Sequence, residues 1–203
     1  MVKKISVFAI AVIIVCLAIS YKKASKANLT ETLITDAYYG DLIAVKNDLE
    51  KGADISCELY FNDPERDYYQ RTFNILHAAA SSGNEDLIIF LLDEGINIDY
   101  PTAEGWTPLF IATRDGRAEA AKLLIYKQAD INAQTDLGAT ALLMAVTQPF
   151  ESEEARLDLL EYMLKRGANP SLTDTYGHTP LYYAEKQGRE QVVALLKQYS
   201  EQK

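Results

Sequence analysis

Apolar and polar positions along this chain fall into two regimes. From Ile5 to Ser20 it reads ISVFAIAVIIVCLAIS without a charge, behind Lys3 and Lys4, whereas beyond residue 27 short apolar clusters and polar breaks alternate with a long period. The first regime predicts a secretory leader or an anchoring helix over 1–27. Its sixteen residues make roughly 24 Å of helix at about 1.5 Å each, short of a ~30 Å hydrocarbon core, which favours a cleaved leader. Lys22, Lys23 and Lys26 just beyond it favour an uncleaved anchor instead. Cys16 follows Val15 rather than the small residue that lipidation needs.

The second regime is periodic. GWTPLFIATRDGRAEAAKLLIYKQADIN, from Gly105 to Asn132, aligns with segments that start at Gly138 and Gly177, with Asn74 to Asp99 and, more loosely, with Asp36 to Ile55. Asn74, Thr107, Thr140 and Thr179 fill one slot at spacings of 33, 33 and 39 residues; Gly52, Gly95, Gln128 and Gly167 fill another at 43, 33 and 39. Two markers thus agree on a 33-residue unit with two insertions. Within a unit the pattern predicts two short helices. Thr107 suits an N-cap and Pro108 the first helical turn, where no donor is missed. Leu109, Ala112, Leu123, Leu124 and Ile125 form apolar faces, and the glycines permit the positive φ that ends a helix. No such unit can bury its apolar face alone, so stacking must supply the core.

This frame resembles the ankyrin repeat, whose unit sets two antiparallel helices behind a β-turn and carries a T-P-L-H-x-A signature. Thr107-Pro108-Leu109 and Thr179-Pro180-Leu181 match its first half, and Leu76-His77 with Ala79 its second. Asn74-Ile75 and Thr140-Ala141 depart from Thr-Pro, Gln128 departs from the helix-ending glycine, and the first unit lacks the signature. The resemblance covers residues 28–203 and implies an all-α repeat solenoid of about five helix-turn-helix units with β-turn tips, preceded by the hydrophobic leader or anchor helix. The units are expected near 28–56, 72–101, 102–134, 135–172 and 173–203, with a long insert loop at 57–71.

The resemblance also implies that partners bind the concave side, at the turn tips and the ends of the first helices. Alignment carries this to Tyr38, Tyr39, Ser81, Ser82, Arg114, Asp115, Thr147, Gln148, Lys186 and Gln187 before each mid-unit break. At the tips it gives Glu104, Trp106, Asp136, Leu137, Tyr176 and His178. Tyrosine and tryptophan bury much area at little entropic loss, so Tyr38, Tyr39, Trp106 and Tyr176 are the expected anchors. The bland alternative is that these rings pack on neighbouring tips. The insert is longer than a turn needs and mixes Tyr60, Phe61, Tyr68 and Tyr69 with Glu58, Asp63, Glu65 and Asp67, which makes it a candidate for partner specificity.

Charge sharpens the expectation. Every acidic residue lies beyond residue 27 while five of the twenty basic ones precede it, leaving 15 positive against 29 negative charges in the repeat region. Nucleic acid is excluded as a partner and a basic protein would be drawn in; the alternative is that the charge merely keeps the chain dispersed. His77 and His178 are the only histidines and sit where the frame predicts hydrogen-bonding braces for the turns. No zinc spacing, phosphate loop or Ser-His-Asp set is present, and Asp63-Glu65-Asp67 lacks the glycine and glutamate of a calcium loop, so no catalytic residue, metal or cofactor is expected. Cys57 alone lies beyond the leader, as a spectator thiol. The expected protein is a monomeric, non-enzymatic binding module of bacterial source, exported to the periplasm or beyond, or held in the inner or plasma membrane by residues 5–20. It would serve an exported enzyme as accessory factor or act as an immunity or inhibitor protein; an uncleaved membrane-tethered scaffold is the alternative.

Overall fold

The structure, a computed structural model, describes residues 29–61 and 71–200; the expected leader at 1–27 lies outside the described residues. Helix α1 covers 29–38. After it come α2 (Leu42–Glu50), α3 (Ile75–Ser82), α4 (Glu85–Asp93), α5 (Pro108–Arg114), α6 (Ala118–Tyr126), α7 (Ala141–Thr147), α8 (Glu153–Lys165), α9 (Pro180–Lys186) and α10 (Glu190–Ser200). Most have fewer than ten residues, too short to persist alone in water. They persist by stacking: α3, α5, α7 and α9 form one row, and α4, α6, α8 and α10 the other. One continuous core runs through both rows, from Leu33 and Ile34 through Leu76, Leu91, Leu109, Leu124 and Leu142 to Leu159 and Leu196. Ala79, Ala80, Ala112, Ala145 and Ala184 are fully buried, which lets neighbouring helices approach closely.

The slot shared by Asn74, Thr107, Thr140 and Thr179 is an N-cap in every case. The side-chain oxygens accept from the N–H groups of His77 (3.1 Å), Phe110 (3.2 Å), Leu143 (3.1 Å) and Tyr182 (3.3 Å) respectively. Pro108 and Pro180 stand in the first turn, as their lack of a donor allows. The second slot turns the chain out of the second helix through positive φ. Gln128, at φ 72°, is the one non-glycine in that conformation among the described residues.

Two places depart from a plain helical frame. The insert, read as a loop, has a β-hairpin at its base: β1 (Glu58–Phe61) pairs antiparallel with β2 (Arg71–Asn74), Glu58 opposite Asn74 and Phe61 opposite Arg71. It is rooted on the stack, since the Glu58 carboxylate accepts from the Tyr100 hydroxyl and the Phe73 ring meets the His77 ring edge-on at 5.6 Å. In the fourth helix pair no glycine closes the first helix. Gln148 is extended, and Arg156 reaches back from α8 to donate to the carbonyls of Ala145 (2.7 Å) and Val146 (3.1 Å) at the end of α7.

Candidate functional site

The ends of the first helices come together through side-chain bonds across helix pairs. Tyr38 and Tyr39 close α1, 56% and 78% exposed, with their rings edge-to-face at 5.7 Å. Asn84 donates to the Gly40 carbonyl (2.8 Å) and ties that turn to the next pair. Ser81 donates to Asp115 (2.6 Å), which also receives Arg114 in a bidentate pair at 2.6 and 2.9 Å, while Arg117 donates to the Ser81 carbonyl (2.8 Å). Arg114 and Asp115, expected as partner contacts, therefore neutralise each other and present an oriented polar surface rather than two separate charges.

The tips are short turns closed by Thr102 N–H to Trp106 carbonyl (2.9 Å), Thr135 to Ala139 (2.9 Å) and Asp174 to His178 (3.0 Å). Backbone bonds link them into a ladder: Asp136 N–H to Glu104 carbonyl and Thr175 N–H to Leu137 carbonyl, both 3.0 Å. The ladder needs close approach, and a Cβ on Gly138 would lie 2.9 Å from both Asp174 Cα and the Thr173 carbonyl oxygen. Glu104 spends its carboxylate on the Thr102 hydroxyl (2.8 Å), while Asp136 is exposed. Leu137 and Tyr176 stand 59% and 77% exposed.

Trp106 is half-buried. Its ring lies 5.5 Å from Phe110, and the Arg114 guanidinium stands over it at 5.0 Å, so the packing alternative describes this anchor better than an open contact does. His77 braces the same tip as the frame predicts. Its Nδ1 accepts from the Asn74 N–H (3.2 Å) and its Nε2 donates to the Trp106 carbonyl (2.9 Å), which fixes the neutral tautomer. Burial, which disfavours the charged form, pulls its pKa down to about 4. His178 departs from the prediction: its ring lies flat on Tyr182, centroids 3.9 Å apart and planes 4° apart, and the Tyr176 ring lies 6.3 Å from it. Desolvation pushes Asp174 upward, but the Tyr183 hydroxyl (2.6 Å) and the N–H groups of His178 and Tyr176 outweigh it and hold its carboxyl below the usual range.

Tyr60 and Phe61 lie in β1, while Tyr68 and Tyr69 lie outside the described residues. Sequence reasoning passed over Tyr182, 39% exposed, and Tyr183 beside it, which complete the aromatic group around His178. Aligning residues four apart on each first helix would have found them. Cys57 is half-buried, and burial, reinforced by Asp54, pushes its thiol up to about 11, so it stays protonated at neutral pH.

A family model described as ankyrin repeats, in three copies, matches residues 33–135. The mouse protein "Ankyrin repeat, SAM and basic leucine zipper domain-containing protein 1" is 37% identical over 116 residues, which is 57% of this chain and 24% of that protein. Proteins of the same name match at 36% over 121 residues in Dasypus novemcinctus (60% and 25%) and at 36% over 125 residues in Ovis aries (62% and 25%). The match thus spans about a quarter of the length of these relatives. They overturn the expected location, exported, periplasmic or membrane-anchored: the relatives are mammalian proteins whose names join ankyrin repeats to SAM and basic leucine zipper domains. No helix among the described residues is long and apolar enough to cross a membrane. The expected bacterial source likewise finds no support in these relatives.

Proposed function

This chain belongs to the ankyrin-repeat family, and we infer that it is a protein-binding module whose partner lies along the tip ladder and the ends of the first helices, on the concave side such a stack forms. The observation that carries this reading is where apolar side chains stay uncovered. Tyr38, Tyr39, Leu137, Tyr176 and Tyr182 are exposed on tips or first helices, while the apolar faces between helices are buried. Ile43 and Tyr126, exposed on second helices, and Tyr100, 36% exposed in the segment after α4, are the exceptions. Clustered tyrosines beside oriented polar groups suit a protein interface, where a few aromatic anchors carry most of the binding energy. The acidic balance of the chain, 29 acidic against 20 basic residues, supports a basic partner.

The test is affinity capture with quantitative mass spectrometry, comparing wild type with Tyr38→Ala/Tyr39→Ala and with Leu137→Ala/Tyr176→Ala. One protein retained by wild type and depleted by both variants supports the surface. A partner retained equally by all three moves the interface elsewhere.

A further inference from the structure

The rings of Tyr176, His178 and Tyr182 form a near-parallel stack, with 27° between the first two planes and 4° between the last two. A cation already stands over the Tyr182 ring, with Lys186 Nζ 5.8 Å from its centroid. The same chain caps its other tip ring, Trp106, with the Arg114 guanidinium at 5.0 Å. Tyr176 is 77% exposed, and no cation stands over its ring among the described residues. Two carboxylates belong to the same tip ladder. Asp174 lies beneath the turn, its oxygens bonded to the Tyr176 and His178 N–H groups. Exposed Asp136 sits one residue from Leu137, whose carbonyl accepts from the Thr175 N–H.

Ring faces carry negative quadrupolar charge, and a guanidinium binds them more readily than a strongly hydrated ammonium does. We propose that the open Tyr176 face receives an arginine side chain of the partner, stacked on the ring and drawn to the Asp136 carboxylate. This rests on the protein-binding reading and names the chemistry of one point on it. A planar guanidinium can lie flat on the tyrosine while its edge donates to a carboxylate, so the two neighbours select arginine over both lysine and a neutral isostere.

The probe is a peptide of four Arg-Gly repeats, titrated calorimetrically and followed by proton NMR, with the citrulline peptide as neutral control. The expected result is binding of the arginine peptide and none of the citrulline peptide, with upfield ring-current shifts on the arginine δ protons. Tyr176→Leu should weaken binding about two- to fivefold and abolish those shifts, and Asp136→Asn should weaken it while keeping them. Both positions are exposed, so unchanged melting curves will show that the variants fold. Arginine-peptide binding that is unchanged in Tyr176→Leu, equal response to the citrulline peptide, or no binding at all would overturn the proposal. The broader surface fails separately, in the capture arm with Tyr38→Ala/Tyr39→Ala, which leaves Tyr176 and Asp136 intact.

Discussion

Replacing His77 by leucine perturbs one buried ring that joins two helix pairs. The substitution keeps the apolar bulk but removes the acceptor for the Asn74 N–H and the donor to the Trp106 carbonyl, both inside the stack. Losing two such partners costs about 2–4 kcal/mol at pH 7. The pH dependence separates this account from simple loss of packing. Burial lowers the folded pKa to about 4, with the Glu58 carboxylate pulling upward and Arg114 downward by less. In the unfolded chain the ring titrates near ~6.5. Between those values the unfolded chain holds a proton that the folded one refuses. The stability that His77 contributes is therefore complete above pH ~6.5 and lost as pH falls towards about 4. Integration gives a loss of about 2 kcal/mol from pH 7 to 5 and about 3 by pH 4, for wild type only. The assay is urea unfolding followed by helical circular dichroism at pH 7, 6 and 5, where carboxylate titrations common to both proteins cancel. The stability difference between wild type and His77→Leu should shrink by about 2 kcal/mol at pH 5, to half or less of its pH 7 value; a difference constant across that range would refute a neutral, desolvated His77.

Three further perturbations test the frame. Gln128→Gly relieves a side chain at φ 72° whose amide makes only a 3.3 Å contact to the Tyr126 carbonyl, and should stabilise by about 1 kcal/mol, read as a melting temperature higher by about 2–4 °C. Gly138→Ala forces a Cβ into positive φ and to 2.9 Å from the backbone of the next tip; chemical denaturation should show a loss of about 2 kcal/mol or more. Arg156→Leu strips the end of α7 of its donors and leaves Glu153 with Arg189 alone. It should cost about 3 kcal/mol by the same measurement, and Arg156→Lys should rescue only part because its head cannot fork.

The helical frame was legible because its signals are local. Thr107-Pro108 and Thr179-Pro180 announce helix starts, and the glycine slot announces helix ends. The β-hairpin was not legible, because four-residue strands carry too little alternation to declare themselves. What roots it is a contact from Glu58 to Tyr100, 42 residues away. The role of Arg156 was hidden for a similar reason. The alignment shows that the fourth pair lacks its mid-unit glycine, but not which side chain takes over the carbonyls the glycine turn would have served. Among the candidate anchors, exposure of Tyr38, Tyr39 and Tyr176 follows from their slots. Trp106 differs because Arg114, two slots further along the same column, stands over its ring.

That difference generalises into a column on each first helix, made of the residue before the N-cap and those four and eight positions later. The columns read Phe73, His77, Ser81; Trp106, Phe110, Arg114; Ala139, Leu143, Thr147; and His178, Tyr182, Lys186. In the second and fourth of these, two rings pack on each other, tilted in the second and flat in the fourth, and a cation returns over one of them. In the first, ring meets ring and the buried histidine is consumed in bracing the next tip. The third holds no ring and lies between two aromatic columns. Identical backbone slots thus carry different side-chain chemistry, and partner selection can change at their exposed members without touching the buried residues that hold the stack together. Selectivity in such a stack is carried by the exposed members of the columns, because their buried members, His77, Phe110 and Leu143, belong to the packed body that displays them.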